Sequence, residues 1–352
     1  MSGATATKED LLKALSRIED PYFKKDIVSL GLVTEASVDA GRARVRLELT
    51  TPAYPPRRRF EEEARRLIAA LPGISAVDVE VSATVLAPQH PLGNGMPGIK
   101  HVIAVASGKG GVGKSTIAVN LALALAQSGA AVGLLDADIY GPSIPIMLGE
   151  RRQPKPSPSG KVLPLERYGI TVMSIGLIAT GDTPVIWRGP LVGKMIQQFL
   201  NHVEWGELDY LVIDLPPGTG DAQLTLAQSA PLSGAVIVTT PQDVALEDVY
   251  RAVRMFGQVR VPILGVVENM SGFVCPHCGA ATPIFRAGGG RRASDREEVP
   301  LLGQIPLDPE ICEGGDLGKP IVVANPESPQ SEALRAVAGE VAARLSVLAW
   351  QG

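Results

Sequence analysis

The stretch 105–116, VASGKGGVGKST, carries a complete G-x-x-x-x-G-K-[S/T] pattern in Gly108, Gly113, Lys114 and Ser115. Those residue types at that spacing suit one task, the holding of a polyphosphate. Glycines let successive backbone N–H groups converge on phosphate oxygens, and the helix start that follows adds a positive dipole. Lys114 reaches the outer phosphates and Ser115 offers a hydroxyl to Mg²⁺. Candidate contacts to ATP therefore run through Gly108, Lys109, Gly110, Gly111, Val112, Gly113, Lys114, Ser115 and Thr116. Lys109 is one lysine more than the pattern requires. Two acidic stretches supply the rest of a hydrolytic site. LLDADIYGPS (134–143) presents Asp136 and Asp138, and LVIDLPPGTGD (211–221) presents Asp214. Asp214 is expected as an outer partner of the magnesium ion. Asp136 or Asp138, which spacing does not separate, is expected to orient the attacking water.

A second chemistry sits in ENMSGFVCPHCGAATPIF (268–285), where Cys275 and Cys278 have the spacing of a metal knuckle and Gly279 permits a tight turn. A closed tetrahedral site needs four ligands. The chain has 3 cysteines and no second C-x-x-C. Two copies of the chain about a symmetry axis would bring four thiolates together, a set that suits a [4Fe-4S] cluster and equally a zinc ion. A redox C-x-x-C would open a helix, whereas GFVCPHCG reads as half a ribbon. Cys312, in LDPEICEGGDLG, is expected as a semi-buried structural thiol.

The elements that must position these groups follow from periodicity. APQHPLGNGMPGIK (87–100) is dense in Pro and Gly, so residues 87–98 read as a linker. Ahead of it, residues 1–86 read as a small α+β domain. Helical spacing covers 8–18 and 59–71, and strand alternation covers 41–50 and 74–85. Behind it, residues 99–352 repeat strand, loop and helix. The aliphatic runs HVIAVAS, AVGLLD, YLVIDL, GAVIVTT and ILGVVEN predict an α/β domain with a mostly parallel sheet and helices on both faces. In such sheets ligands bind beyond the carboxyl ends of the strands, and every motif above falls at such an end.

GKGGVGKST resembles the deviant phosphate loop of the MinD, ParA, nitrogenase iron protein and ArsA class of dimerising ATPases. That resemblance implies that Lys109 crosses to the nucleotide of a partner subunit, as an arginine finger does. With DADIYGPS, DLPPGTGD, TTPQDVAL, ENMSGFVCPHCG and IPLDPEI, the chain from about 99 to 345 resembles the Mrp/ApbC family of iron–sulfur cluster carrier ATPases. What this implies is a homodimer that bridges a labile [4Fe-4S] cluster on Cys275 and Cys278 and donates it to apo iron–sulfur proteins, with ATP hydrolysis coupled to cluster handling. Asn269 and the Pro306 region resemble adenine-binding positions. EDPYFKKDIVSLGLV and TTPAYPPRRRF resemble the small domain associated with iron–sulfur assembly, in which a T-P-x-C-P cysteine is common. Tyr54 stands at that position, so docking or regulation is the expected role of this domain.

Bulk properties narrow the alternatives. Hydrophobic residues make up 45% of 352 residues, enough for a sizeable core, and the formal net charge is −4. An acidic balance disfavours nucleic-acid binding, and no run of 18 uninterrupted apolar residues predicts a membrane span. The N-terminal residues lack an apolar signal region, so a cytoplasmic location is expected. A MinD- or ParA-like positioning ATPase leaves the C-x-x-C unexplained. A zinc-clasped dimeric ATPase switch explains it and stands as the alternative.

Overall fold

A computed structural model describes residues 6–88, 96–178, 189–275 and 277–351. It divides into two compact units, Met1–Leu86 with Ala342–Gly352, and Ala87–Val341.

In the first unit, helix α1 (Lys8–Leu15) begins with a capping box, in which the Thr7 hydroxyl accepts from Asp10 N and the Asp10 carboxylate accepts from Thr7 N. It ends three residues before the sequence pattern does, and Ile18 reaches the core from beyond the helix. Strands β1 (Val33–Asp39), β2 (Arg42–Leu49) and β3 (Ala76–Ala83) form a sheet in that order, β1 antiparallel and β3 parallel to β2. Alternation in β2 buries Ala43, Val45, Leu47 and Leu49 and turns Arg42, Arg44 and Arg46 outward. Helix α2 (Arg57–Ala69) closes the core with Phe60, Ala64 and Ile68, spaced four apart. Residues 342–352, read from sequence as part of the second domain, group here instead. Ala343 lies in this core, the Ser346 hydroxyl donates to Thr50 O, and Trp350 meets Phe23 edge-on.

The second unit opens with β4 (Ile99–Ala106), α3 (Lys114–Gln127), β5 (Val132–Asp136) and α4 (Ile144–Met147). A two-stranded ribbon, β6 (Lys155–Pro156) with β7 (Val162–Leu163), precedes β8 (Leu165–Arg167) and β9 (Ile170–Ser174). Then come α5 (Gly189–His202), β10 (Leu208–Asp214), α6 (Asp221–Ser229), β11 (Gly234–Thr239), α7 (Asp243–Gln258), β12 (Ile263–Val274), β13 (Ala281–Thr282), α8 (Gly289–Glu297) and β14 (Leu301–Leu307). The chain finishes with α9 (Pro309–Asp316), α10 (Ile321–Ala324) and α11 (Pro329–Gln351). The main sheet runs β13-β12-β11-β4-β10-β5-β9-β8, with β14 also on β12. Among the described residues only its pairings to β13 and β8 are antiparallel. Strands β4, β5, β10 and β11 are almost wholly buried, which is why they read as unbroken aliphatic runs. The predicted α/β sheet is therefore the observed one. Among the described residues no helix is long and apolar enough to cross a membrane.

Candidate functional site

Strand β4 delivers the glycine-rich loop, and helix α3 leaves it at Lys114. Gly113 caps that helix at φ 83 and offers no side-chain acceptor, so the first N–H groups of α3 stay available to a ligand. Beside Gly110 and Gly111 a Cβ would meet nothing within 4 Å, whereas at Gly113 it would lie 2.2 Å from Asn269 Nδ2. The loop thus has one open face and one closely packed one. A cavity of about 560 Å³ lies on the open face, within the roughly 300–1,000 Å³ of small-molecule sites. Lys109, Gly110, Gly111, Gly113, Lys114, Ser115, Thr116, Asp138, Asn269 and Pro306 line it. Gly108 and Val112 instead support the loop from behind. A Cβ on Gly108 would sit 2.2 Å from Asp248 Cβ, and Val112 O accepts from Asn269 Nδ2 at 2.9 Å. A larger hollow of about 750 Å³, lined by Met96 and by residues of and around α5, α6 and α7, has among the described residues Arg260 as its single charged lining residue and no loop of converging N–H groups.

The charges are arranged around Lys114, whose ammonium is buried and donates to Asp214 Oδ1 at 2.6 Å. It lies 3.6 Å from Asp138 Oδ2 and 3.3 Å from Ser115 Oγ. Ser115 Oγ donates to Asp214 Oδ2 at 2.5 Å. Burial holds the Asp214 carboxyl above its ordinary value, opposed by Lys114 and Ser115. Hydroxyl and carboxylate together form an oxygen pair of the kind a hard cation takes.

Asp136 and Asp138, inseparable by spacing, part company in three dimensions. Asp136 is fully buried and accepts from Asp138 N at 3.2 Å, Ile144 N at 3.3 Å and Ser174 Oγ at 2.8 Å. Burial, then the nearby Asp214 charge, raises its carboxyl to about 7. Asp136 ties the loop after β5 to β9 and does not line the cavity. Asp138 does line it, and its Oδ1 is buried with no hydrogen-bond partner among the described residues. A buried acceptor left open is costly without a ligand or water to satisfy it. The Lys109 ammonium lies 3.4 Å from the Gln242 amide oxygen.

At the far wall the cavity is closed by Met270, Pro306, Leu307, Ile311 and Cys312 with Asp308 and Asp316. Cys312 is exposed at this wall and not the semi-buried thiol the sequence suggests. Helix α9 turns it outward, because its inward positions are taken by Gly314 and Gly315.

The cysteines occupy the turn between β12 and β13, where Phe273 pairs with Thr282 and Val274 with Ala281. Cys275 N donates to Ala280 O and Cys275 O accepts from Gly279 N, with Gly279 at φ 71. The ribbon expected from GFVCPHCG is present. N–H groups of His277 and Cys278 and the Cys278 thiol turn toward Cys275 and hold its thiol below the ordinary range, which favours the thiolate that metals bind. Among the described residues no group of three or more His, Cys, Asp and Glu is placed to hold a metal.

Residues 98–342 match the family described as NUBPL iron-transfer P-loop NTPase, and residues 8–81 match an iron–sulfur cluster assembly protein family. The chain belongs to the NUBPL iron-transfer P-loop NTPases. An iron–sulfur cluster carrier protein of Deinococcus radiodurans is 49% identical over 96% of this chain and 95% of its own length. Its Escherichia coli counterpart is 43% identical over 96% and 91%. The iron–sulfur cluster transfer protein NUBPL of Dictyostelium discoideum is 51% identical over 71% and 78%. Among solved structures, a nucleotide-binding protein of Archaeoglobus fulgidus in complex with ADP superposes with TM-score 0.59 at 43% identity, over 66% of this chain and 91% of that one. MinD of Pyrococcus horikoshii superposes with TM-score 0.53 at 24% identity over 68% and 94%, a likeness of fold. The family match spans the phosphate loop, all three aspartates and both cysteines of the knuckle. The relatives' names speak of iron–sulfur cluster carriage or transfer, as the Mrp/ApbC resemblance implies.

The sequence did not mark Gln242 as the partner of Lys109, nor Ser174 as the support of Asp136. Both contacts join segments far apart in the chain, and TTPQDVAL entered the sequence reading only as a motif of the family resemblance.

Proposed function

We propose that this NUBPL-family NTPase is an ATP-hydrolysing carrier that binds a [4Fe-4S] cluster between two copies of itself and passes it to apo-proteins. The observation that carries the reading is the two-cysteine hairpin on β12, the strand whose Asn269 braces the phosphate loop. Two thiolates are half of a four-thiolate set, and a second copy about a two-fold axis supplies the other half.

ATP, when bound, supplies a phosphoryl group whose cleavage is strongly favourable. The residues divide the remaining work. Backbone N–H groups of 110–115 and the Lys114 ammonium hold phosphate oxygens. Ser115 and Asp214 present oxygens to Mg²⁺. The open Asp138 Oδ1 receives a hydrogen bond from water, which orients that water for attack. Asn269 and Pro306 flank the base. Lys109, whose ammonium makes a long bond to a neutral amide, exchanges it to reach across to the partner's phosphates, and a cation delivered in this way is worth about 10³–10⁵ in rate. Asp136 shapes the loop that carries Asp138.

Anaerobic reconstitution with iron and sulfide tests the reading. About four irons and four sulfides per dimer, with loss of cluster in Cys275→Ser and Cys278→Ser, is the expected result. One zinc per dimer and no cluster absorbance would replace the carrier with a zinc-clasped switch.

A further inference from the structure

Helix α7 touches both candidate sites. At its N-terminal end Gln242 accepts from Lys109. One turn along, Asp248 fills the space beside Gly108, where a Cβ would meet its backbone oxygen at 2.5 Å. Between them Asp243 faces the other way. One carboxylate oxygen accepts from Arg286 Nη1, and the other from Arg292 Nη2 at 3.0 Å. Arg286 lies on the return arm of the cysteine hairpin, four residues after β13 ends, with its backbone in the left-handed region at φ 73. A non-glycine residue holds that conformation only where neighbours over-determine it. Arg292 lies in the first turn of α8, which packs so closely on the same segment that a Cβ on Gly289 would lie 2.4 Å from Pro241 O. The hairpin is therefore fixed at one root by the sheet and at the other by a two-arginine clamp on Asp243. The clamp is exposed on all three side chains, and exposed ion pairs are individually weak, so it opens and closes readily.

We propose that Asp243 is a positioning residue that couples the nucleotide loop to the cysteine hairpin, so that movement of Lys109 away from Gln242 alters how firmly the Arg286 arm is held. The proposal rests on the reading above, in which nucleotide occupies the loop and cargo the cysteines. Asp243 touches neither. Its carboxylate transmits because Gln242 and Asp243 are consecutive residues at the start of one helix, and a shift of that start moves both contacts together.

The test uses the full cluster-free chain and alkylation of Cys275 and Cys278 by iodoacetamide, resolved from Cys312 by peptide mass. Rates are taken with and without Mg-ATP for the wild type, Asp243→Asn and Asp243→Glu, and nucleotide affinity is measured on the same samples. The expected result is a nucleotide-dependent change in hairpin reactivity of at least ~5-fold in the wild type, the lower end of ordinary coupling factors. Asp243→Glu keeps most of that ratio, and Asp243→Asn brings it near one with nucleotide affinity unchanged. A local loosening without coupling raises the Asp243→Asn rates in both states and leaves their ratio at the wild-type value, which overturns the proposal. A wild type that binds nucleotide with no change in reactivity overturns it as well. A wild type that fails to bind nucleotide sinks the underlying reading together with it.

Discussion

Lys114→Met isolates the electrostatics of the nucleotide-free site. The substitution keeps the length of the side chain and removes the cation that lies 2.6 Å from Asp214 and 3.6 Å from Asp138. All three groups are buried, and stripping one partner from a buried ion pair costs about 3–5 kcal/mol. The second unit holds roughly 250 residues, and an unfolding entropy near 2.1 cal/mol/K per residue gives about 0.5 kcal/mol per degree. The expected loss is therefore roughly 6–10 °C in Tm at pH 8. The pH dependence follows from the carboxyls. Burial raises Asp214 above its ordinary value and Asp136 from 3.8 to about 7. The folded state then keeps protons that the unfolded chain has already released, so stability falls as pH climbs from about 4 to about 7 and levels off above. Without Lys114 the folded-state carboxyls rise further, so the variant's deficit is smallest while they stay protonated and grows as pH climbs past their wild-type values. Thermal unfolding at pH 5 and pH 8, with Lys114→Met/Asp214→Asn as a partner that recovers much of the loss, measures the effect. A Tm within 2 °C of wild type at pH 8, or an equal deficit at both pH values, would refute the shared-cation picture.

Asp138→Asn is expected to lower ATP hydrolysis by at least ~100-fold with nucleotide affinity preserved. Asp136→Asn is expected to act first on stability, by about 1–3 kcal/mol, because its amide no longer accepts from all three donors; steady-state hydrolysis and thermal melts distinguish the two. Gly113→Ala combines a left-handed backbone with a 2.2 Å encounter with Asn269, and a fluorescent ATP analogue is expected to bind it at least ~10-fold more weakly. In the first unit, the Tyr54 hydroxyl donates to buried Asp20 at 2.5 Å, so Tyr54→Phe is expected to cost about 1–3 kcal/mol. Tyr54→Cys also empties the space beside Tyr22 and Phe60 and is expected to cost about 3–5 kcal/mol by chemical denaturation, with nucleotide binding unchanged.

What could be read from sequence was whatever the backbone itself demands. The phosphate loop is legible because Gly111 and Gly113 must adopt positive φ and Gly110 must leave room for a ligand. The parallel sheet is legible because strands buried on both faces carry no alternation. The choice between Asp136 and Asp138 was closed, since both lie just past β5 and only the fold-back of that loop onto Ser174 decides which one is consumed as a brace. The tail was closed for a related reason. Helix α11 runs unbroken across Val341, so its sequence gives no sign that Ala343 and Trp350 pack in the first unit.

Strand β12 carries both chemistries, with Asn269 at the phosphate loop and Cys275 just past its end, at most roughly 20 Å apart at about 3.3 Å per residue. A regular strand of that length would transmit motion as a rod. This one is irregular: its register against β14 shifts between Asn269 and Phe273, and Met270 stands at φ 58. An irregularity of this kind disrupts the ladder locally and bends the strand. The coupling proposed between nucleotide loop and cysteine hairpin is therefore routed through the 241–243 segment, which contacts Lys109 on one side and Arg286 and Arg292 on the other.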